Sequence, residues 1–277
     1  MKLAFFIAAH RNPQQVEDLA HLLSDPRDSV VLHIDRKADA AVHDTARRLR
    51  DRLSARLLPS RTIYWGGWSM SRILLDAIRD LCASGLDWDY LINLSGQDMP
   101  LRPIDELRTF LAARPGANYI DCRQISELDN PLRGVIQRRV RWITYEGAGR
   151  TRRLPVPMTL LHRGRVRYYG SQWVMLSRPF CDWVARTGAR DAGWSTLPVT
   201  FASDELLSQQ MIMASPFRHT LVKDNKRYYR FAGRAHPVVL QRDDLPTVDA
   251  SGAFFARKFD PAVDASIIRE LAARIAP

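Results

Sequence analysis

The sequence predicts an α/β fold with a mostly parallel central sheet flanked by helices. Three observations carry that reading. Short apolar runs alternate with segments of helical spacing as far as Ala113, the pattern of strands joined by crossover helices. With 46% of 277 residues hydrophobic and 26% charged, the chain has the balance of a soluble globular protein with room for a large core. No apolar stretch approaches the ~18 residues of a membrane-spanning helix.

The elements follow in order. Leu3 to Ala9 is a short apolar run closed by His10-Arg11-Asn12-Pro13. It has the outline of a signal peptide, but its apolar part is too short and runs straight into His10-Arg11, so a buried first strand is expected. Val16 to Leu23 has helical spacing, and Ser29 to Asp35 is a second strand ending on a carboxylate. Ala41 to Leu57 reads as a charged helix and Thr62 to Trp65 as another short strand. Ile73, Leu74, Ala77, Ile78 and Leu81 give Ser69 to Ala83 an i, i+3, i+4 pattern. Tyr90 to Leu94 is a buried strand that breaks at Ser95-Gly96. Pro103 to Ala113 is a helix with Asp105-Glu106 in its first turn.

In such sheets ligands bind beyond the carboxyl ends of the strands. That rule selects Ala9-His10, Asp35, Trp65-Gly66-Gly67 and Ser95 to Asp98 as one rim. The second half is less regular and richer in Arg, Pro and aromatic residues. No repeat or linker is evident, so residues 1–277 are read as a single domain.

Cys82, Cys122 and Cys181 are too few and too scattered for a disulfide framework or a zinc site. A reducing cytoplasm is the expected home. Basic residues outnumber acidic ones by 41 to 30, for a net charge of +11. Residues 130–170 hold ten of the arginines and one acid, Glu146, which is +9 of that total. Arg grips planar anions with paired hydrogen bonds, so a phosphorylated ligand, nucleic acid or an anionic membrane surface would each fit, as would a solvated basic face.

Dinucleotide, P-loop and serine-hydrolase signatures are missing. Six segments stand out instead: His33 to Lys37, Trp65 to Ser69, Trp88 to Leu101, Gly170 to Arg178, Ser203-Asp204-Glu205 and Phe254 to Asp260. Their order and spacing resemble the core-2/I-branching β-1,6-N-acetylglucosaminyltransferase and peptide O-xylosyltransferase family, over about residues 3 to 260. The resemblance implies a GT-A-type, Rossmann-like domain, with residues 1–120 mainly binding nucleotide and 121–277 mainly acceptor-binding and catalytic. It also implies a UDP-sugar co-substrate, inversion at the anomeric carbon and no required metal or other cofactor. GlcNAc or xylose would be the sugar moved.

Individual residues take roles on that basis. Asp35, at a strand end, suits either a nucleoside contact or a turn; the resemblance assigns it to uridine. Asp98 is the one acid in Ser95-Gly96-Gln97-Asp98, where metal-using relatives of the fold carry Asp-x-Asp; it is counted on the donor side. Asp87-Trp88-Asp89 precedes the strand and reads as a helix-end turn. Gly66-Gly67 suits a tight turn or close backbone approach, and Gly67 is placed with the donor residues. Without a metal, cations must neutralise the departing diphosphate. Lys258, one of five lysines and set among aromatic residues, is assigned that task by resemblance. A count back toward the family's upstream Arg reaches Ala235, and adjacent Arg234 is taken as the second cation.

Inverting transfer needs one base for the acceptor hydroxyl. Glu205 matches the family's catalytic Glu, with apolar neighbours able to raise its pKa; Ser203-Asp204-Glu205 also reads as a helix N-terminus. Asp204 is then a capping or orienting residue. Trp173 would line the sugar pocket or start a buried strand. Arg138 and Arg141, sharing one helix face, are the expected acceptor contacts. The whole is read as a bacterial cytoplasmic enzyme of surface-polysaccharide assembly. It would act on a glycan or lipid-linked acceptor without binding nucleic acid, and its basic face would suit contact with the inner membrane. A glycoside hydrolase would need a second carboxylate opposite Glu205, and the sequence nominates none. A non-enzymatic binder of nucleic acid or anionic surfaces, acting through residues 130–170, is the alternative from another class.

Overall fold

A computed structural model describes residues 1–160, 166–187, 195–233 and 236–275. In chain order they form β1 (Leu3–Ala9), α1 (Pro13–Leu22), β2 (Ser29–Ile34), α2 (Ala40–Leu53), β3 (Arg56–Leu57) and α3 (Trp68–Ala83). Next come β4 (Tyr90–Ser95), β5 (Asp98–Pro100), α4 (Ile104–Ala112), β6 (Asn118–Ile120), β7 (Arg123–Gln124) and α5 (Asn130–Arg139). They are followed by β8 (Trp142–Gly147), β9 (Arg150–Pro157), β10 (Tyr168–Tyr169), β11 (Val174–Ser177), α6 (Arg178–Arg186) and α7 (Leu207–Ala214). The last are β12 (Leu221–Val222), β13 (Arg227–Tyr228), α8 (Leu245–Ala250), β14 (Phe255–Arg257) and α9 (Pro261–Ile275). Two compact units result. One comprises Met1–Ser60, Asp87–Pro115 and Lys226–Pro277; the other Arg61–Leu86 and Gly116–Asn225.

In the first unit β1 pairs parallel with β2 and with β4, and β2 with β3. Six of the seven β1 residues are buried, so Leu3–Ala9 is an interior strand. Strands covered on both faces read as unbroken apolar runs, as this one does. α1 buries Val16, Leu19 and Ala20, and α2 buries Val42, Ala46 and Leu49. A second small sheet, β13-β14-β5, sits with an apolar cluster that includes Met99, Leu240, Val248, Phe259, Ile267 and Leu271.

In the second unit β6 pairs parallel with β12 and antiparallel with β11. Four of the five strand pairings given above, all but β6 with β11, are thus parallel, as the alternation predicts. α3 buries the five apolar residues its periodicity selected and packs against α6. β8 and β9 form a hairpin whose two turn residues, Ala148 and Gly149, have φ of 47° and 81°, the left-handed pair that matches strand twist.

Four expectations need correction. The helix expected to reach Leu57 stops at Leu53, because Ser54 adopts φ 54° and frees Arg56–Leu57 to pair with Val31 and Leu32. Thr62 to Trp65 is not a strand. Its backbone is spent on the start of α3: the Tyr64 N–H donates to Ser69 Oγ (2.8 Å) and the Tyr64 carbonyl accepts from Gly67 N–H (2.9 Å). Ser203–Glu205 is a single 3₁₀ turn, with α7 beginning only at Leu207. Asp87 to Asp89, expected as a helix-end turn, is instead an irregular link into β4, since α3 already ends at Ala83. Its two carboxylates take the side chain and backbone N–H of Lys2. Cys82, Cys122 and Cys181 are free thiols, and burial pushes the first two up to about 12 and about 11. Among the described residues no helix is long and apolar enough to cross a membrane.

Candidate active site

In the first unit β1, β2 and β4 run parallel, so their carboxyl ends share one edge. The Asp35 N–H donates to Ala9 O (2.9 Å) and the Gly96 N–H to Ala8 O (3.0 Å), which sets the three strand exits in register. Asp35 Oδ1 accepts from the Lys37 N–H at 3.0 Å, and Lys37 Nζ stands 3.9 Å from Oδ2. The turn role therefore holds, with the carboxylate still at the strand end.

Distant parts of the chain meet around His10. Partial loss of water lowers its pKa, the Arg11 charge adds to that, the Asp35 carboxylate opposes it, and the Lys258 and Lys37 charges act in the lowering direction. Lys258 itself is half-buried just past β14. Burial lowers its pKa first, then Arg11 and Arg257, against the pull of Asp260. Arg11 and Arg257 stand close enough to Lys258 to disfavour its charge, an arrangement in which a bound anion relieves repulsion. Arg257 was not singled out by sequence reasoning; its signal was adjacency to Lys258.

Asp98 faces inward. Its side chain is 0% exposed, with Oδ2 2.9 Å from Arg227 Nη1, and Oδ1 2.6 Å from Ser95 Oγ and 3.6 Å from Arg257 Nε. Arg234 lies outside the described residues, as do Arg163 and Arg165. Nearby Arg230 is exposed and paired with Asp244 at 2.7 Å.

In the second unit Glu205 is the centre of a polar cluster. Its Oε2 accepts from Arg139 Nη1 at 2.8 Å, with 35% of the Glu205 side chain still exposed. Burial raises its pKa from the ordinary value, against opposition from Arg139 above all, then from Arg123 and a hydrogen bond with Tyr169. The Tyr169 phenol is itself pushed up to about 12, by burial first and then by the Glu205 charge, and Arg123 lies over its ring at 5.5 Å. The backbone pins Glu205 from both sides. Gly170 N–H donates to Glu205 O (3.0 Å), and Glu205 N–H to Ala202 O (3.1 Å).

Gly170 allows this approach because a Cβ there would stand 1.8 Å from the Asp121 carbonyl oxygen. That obstacle is backbone, which cannot rotate away. Gly170→Ala is therefore expected to destabilise by at least about 1–3 kcal/mol, read by chemical denaturation. A change well under 1 kcal/mol would show that the two strands yield.

Asp204 is more deeply buried than Glu205. It is 8% exposed, its Oδ1 has no hydrogen-bond partner, and burial followed by the Glu205 charge raises it to about 7. It is no helix cap, since the turn carries no side-chain cap bond. A Cβ on Gly67 would fall 2.2 Å from Glu146 Oε1, which accepts the Ser69 N–H at 2.6 Å. Gly67 thus admits a carboxylate to the start of α3, where the helix dipole favours it. Trp173 is 8% exposed immediately ahead of β11, the strand-start alternative. Arg138 is exposed on α5, and Arg141, beyond the helix end, is exposed and lies 4.9 Å over the Trp142 ring. The arginine that meets Glu205 is the one between them. Sequence reasoning named Arg139 in the run but not in the pair; only the position of Glu205 distinguishes it.

Comparison with known proteins follows the same residues. A family model described as Core-2/I-Branching enzyme matches residues 3–242, a span that includes Asp35, Asp98, Arg139 and Glu205 and ends before Lys258. The xylosyltransferase oxt of Drosophila melanogaster is 25% identical over 98% of this chain and 33% of its own length. A Danio rerio β-1,3-galactosyl-O-glycosyl-glycoprotein β-1,6-N-acetylglucosaminyltransferase 4 is 25% identical over 96% of this chain and 68% of its own. The β-glucuronosyltransferase GlcAT14A of Arabidopsis thaliana is 27% identical over 87% and 58%. The chain spans about a third of the length of the Drosophila relatives it matches.

Proposed function

Because the chain belongs to the Core-2/I-Branching enzyme family, we propose that it transfers a sugar from a nucleotide-sugar donor to a hydroxyl of a glycan or protein acceptor. The donor in this reading is a UDP-sugar, transfer inverts the anomeric carbon, and no metal takes part. GlcNAc and xylose are the first candidates, since relatives carry those names; glucuronic acid joins them through the Arabidopsis relative.

The observation that carries the reading is Glu205. It is a carboxylate held by Arg139, open to solvent on one side and raised in basicity by burial. As base it removes the acceptor hydroxyl proton while that oxygen bonds to the anomeric carbon. The bond from that carbon to the β-phosphate oxygen breaks, and its electron pair leaves with UDP. Lys258, Arg257 and Arg11 stabilise the departing charge, and Asp35 accepts hydrogen bonds from the uridine. Support for a metal-free leaving group comes from Asp98, whose carboxylate is engaged by Arg227, Arg257 and Ser95. Support against a hydrolase comes from Asp204, the neighbouring carboxyl, which is buried rather than placed across a substrate.

On the acceptor side the reading keeps exposed Arg138 and Arg141. It extends to lipid-linked or acidic acceptors at the inner face of a bacterial membrane, in surface-polysaccharide assembly; the run of arginines in residues 130–170 is its support.

UDP is expected to bind with EDTA present. Lys258→Ala should weaken it about 10–100-fold, the worth of one charge-assisted contact. Calorimetry reads both. Loss of wild-type binding on chelation overturns the metal-free reading, and unchanged affinity in the variant removes Lys258 from the donor site. A screen of UDP-sugars for UDP release then identifies the donor.

A further inference from the structure

The interior of the first unit brings three charged side chains together: Asp98, Arg227 and Arg257. Arg227 and Asp98 are both 0% exposed in their side chains, and Arg257 is 15% exposed. One guanidinium binds three strands together. Arg227 lies on β13, its Nη1 donates to Asp98 of β5 and its Nη2 to the Asn93 carbonyl of β4 (2.9 Å). Its planar face stacks 4.9 Å over Phe255 of β14. Loss of water lowers the Arg227 pKa to about 10, Asp98 opposing and Arg257 assisting. That places both guanidiniums within electrostatic reach of the Asp98 carboxylate. The ladder repeats the message, because Arg257 is the register partner of Asp98 across β14 and β5.

Burying such a cluster is costly unless geometry is tightly kept, and an all-apolar contact would close the same strands at lower cost. The arrangement does something an apolar contact would not. It holds the Arg257 guanidinium beside the Asp98 carboxylate, Nε to Oδ1 3.6 Å, one residue ahead of Lys258. We propose that Asp98 and Arg227 are positioning residues: their buried ion pair sets Arg257 and Lys258 for the phosphates of the donor, and neither touches the donor itself. The proposal rests on the donor reading above and assigns Asp98 a place in it.

The sign of one substitution separates positioning from plain electrostatics. Asp98→Asn removes a negative charge, so field strength alone would tighten UDP. Lost positioning weakens it. The expected result is UDP affinity about 10–100-fold weaker by calorimetry, with uridine binding, followed by ligand-observed NMR, within twofold of wild type. Arg227→Lys keeps the charge and loses the planar fork, and should show the same split. UDP bound as tightly as by wild type, or tighter, in Asp98→Asn overturns the proposal. So does loss of uridine binding in both variants, which would make the pair a folding element only. If the wild-type protein binds neither UDP nor uridine, the donor reading fails and the proposal falls with it. Tight UDP binding by both wild type and Asp98→Asn sinks the positioning role alone.

Discussion

Glu205→Gln should lower turnover about 10²–10⁴-fold, the usual contribution of a positioned general base, with UDP affinity within twofold of wild type. Gln has the size of Glu and can still accept from Arg139, so the local structure is retained. What it cannot do is take a proton. The same group sets the acid side of the pH–rate profile. Transfer needs the ionised carboxylate, and burial raises the Glu205 pKa above its ordinary value, so kcat should fall on acidification earlier than an exposed Glu would cause. Arg139 is the first opponent of that rise. Arg139→Met should therefore move the acid limb to higher pH, a shift that a purely structural arginine would not produce. Near-normal turnover in Glu205→Gln would put the base elsewhere.

The second large effect is on stability. Asp204 is raised to about 7 in the folded protein, whereas an unfolded chain returns it to about 3.9. Between those values the folded protein holds a proton that the unfolded chain has released, so stability falls as pH rises. The contribution of this group is fully present below about pH 4 and gone above about pH 7. At ~1.4 kcal/mol per unit the loss is on the order of 4 kcal/mol. Asp204→Asn has no such titration. Relative to wild type, the variant should gain stability steadily from pH 4.5 to 7.5 and no further above that, in denaturant midpoints at constant m. The charge of Glu205 is the second cause of the raised value, so the gain should be smaller in a Glu205→Gln background. A pH-independent difference between Asp204→Asn and wild type would show that Asp204 is ionised inside the fold at neutral pH.

Much of the frame was legible in the residues. β1, β2 and β4 show as apolar runs, and α1, α3 and α4 as amphipathic periods, because burial of one stripe or of both faces is a local, repeating demand. Helix and strand ends were less so. Thr62 to Trp65 has strand composition, yet its N–H and C=O groups are taken by Gly67 and Ser69, a competition between ladder and helix start that composition does not reveal.

The order of six short segments was enough to indicate the family, and with it Asp35, Lys258 and Glu205 as residues of interest. Only the tertiary structure decided what each of them touches. Arg138, Arg139 and Arg141 are equivalent by type and nearly so by spacing. On a helix one residue turns the side chain by about 100°, and the choice of Arg139 follows from where Glu205 lies. Asp98 reads as a ligand-side acid until Arg227 is seen against it, and Gly67 as a donor-side glycine until Glu146 fills the space where a Cβ would be. The physical reason is common to all three. Periodicity records burial within one element, whereas pairing of charges joins residues far apart in the chain, at distances that only the folded backbone sets.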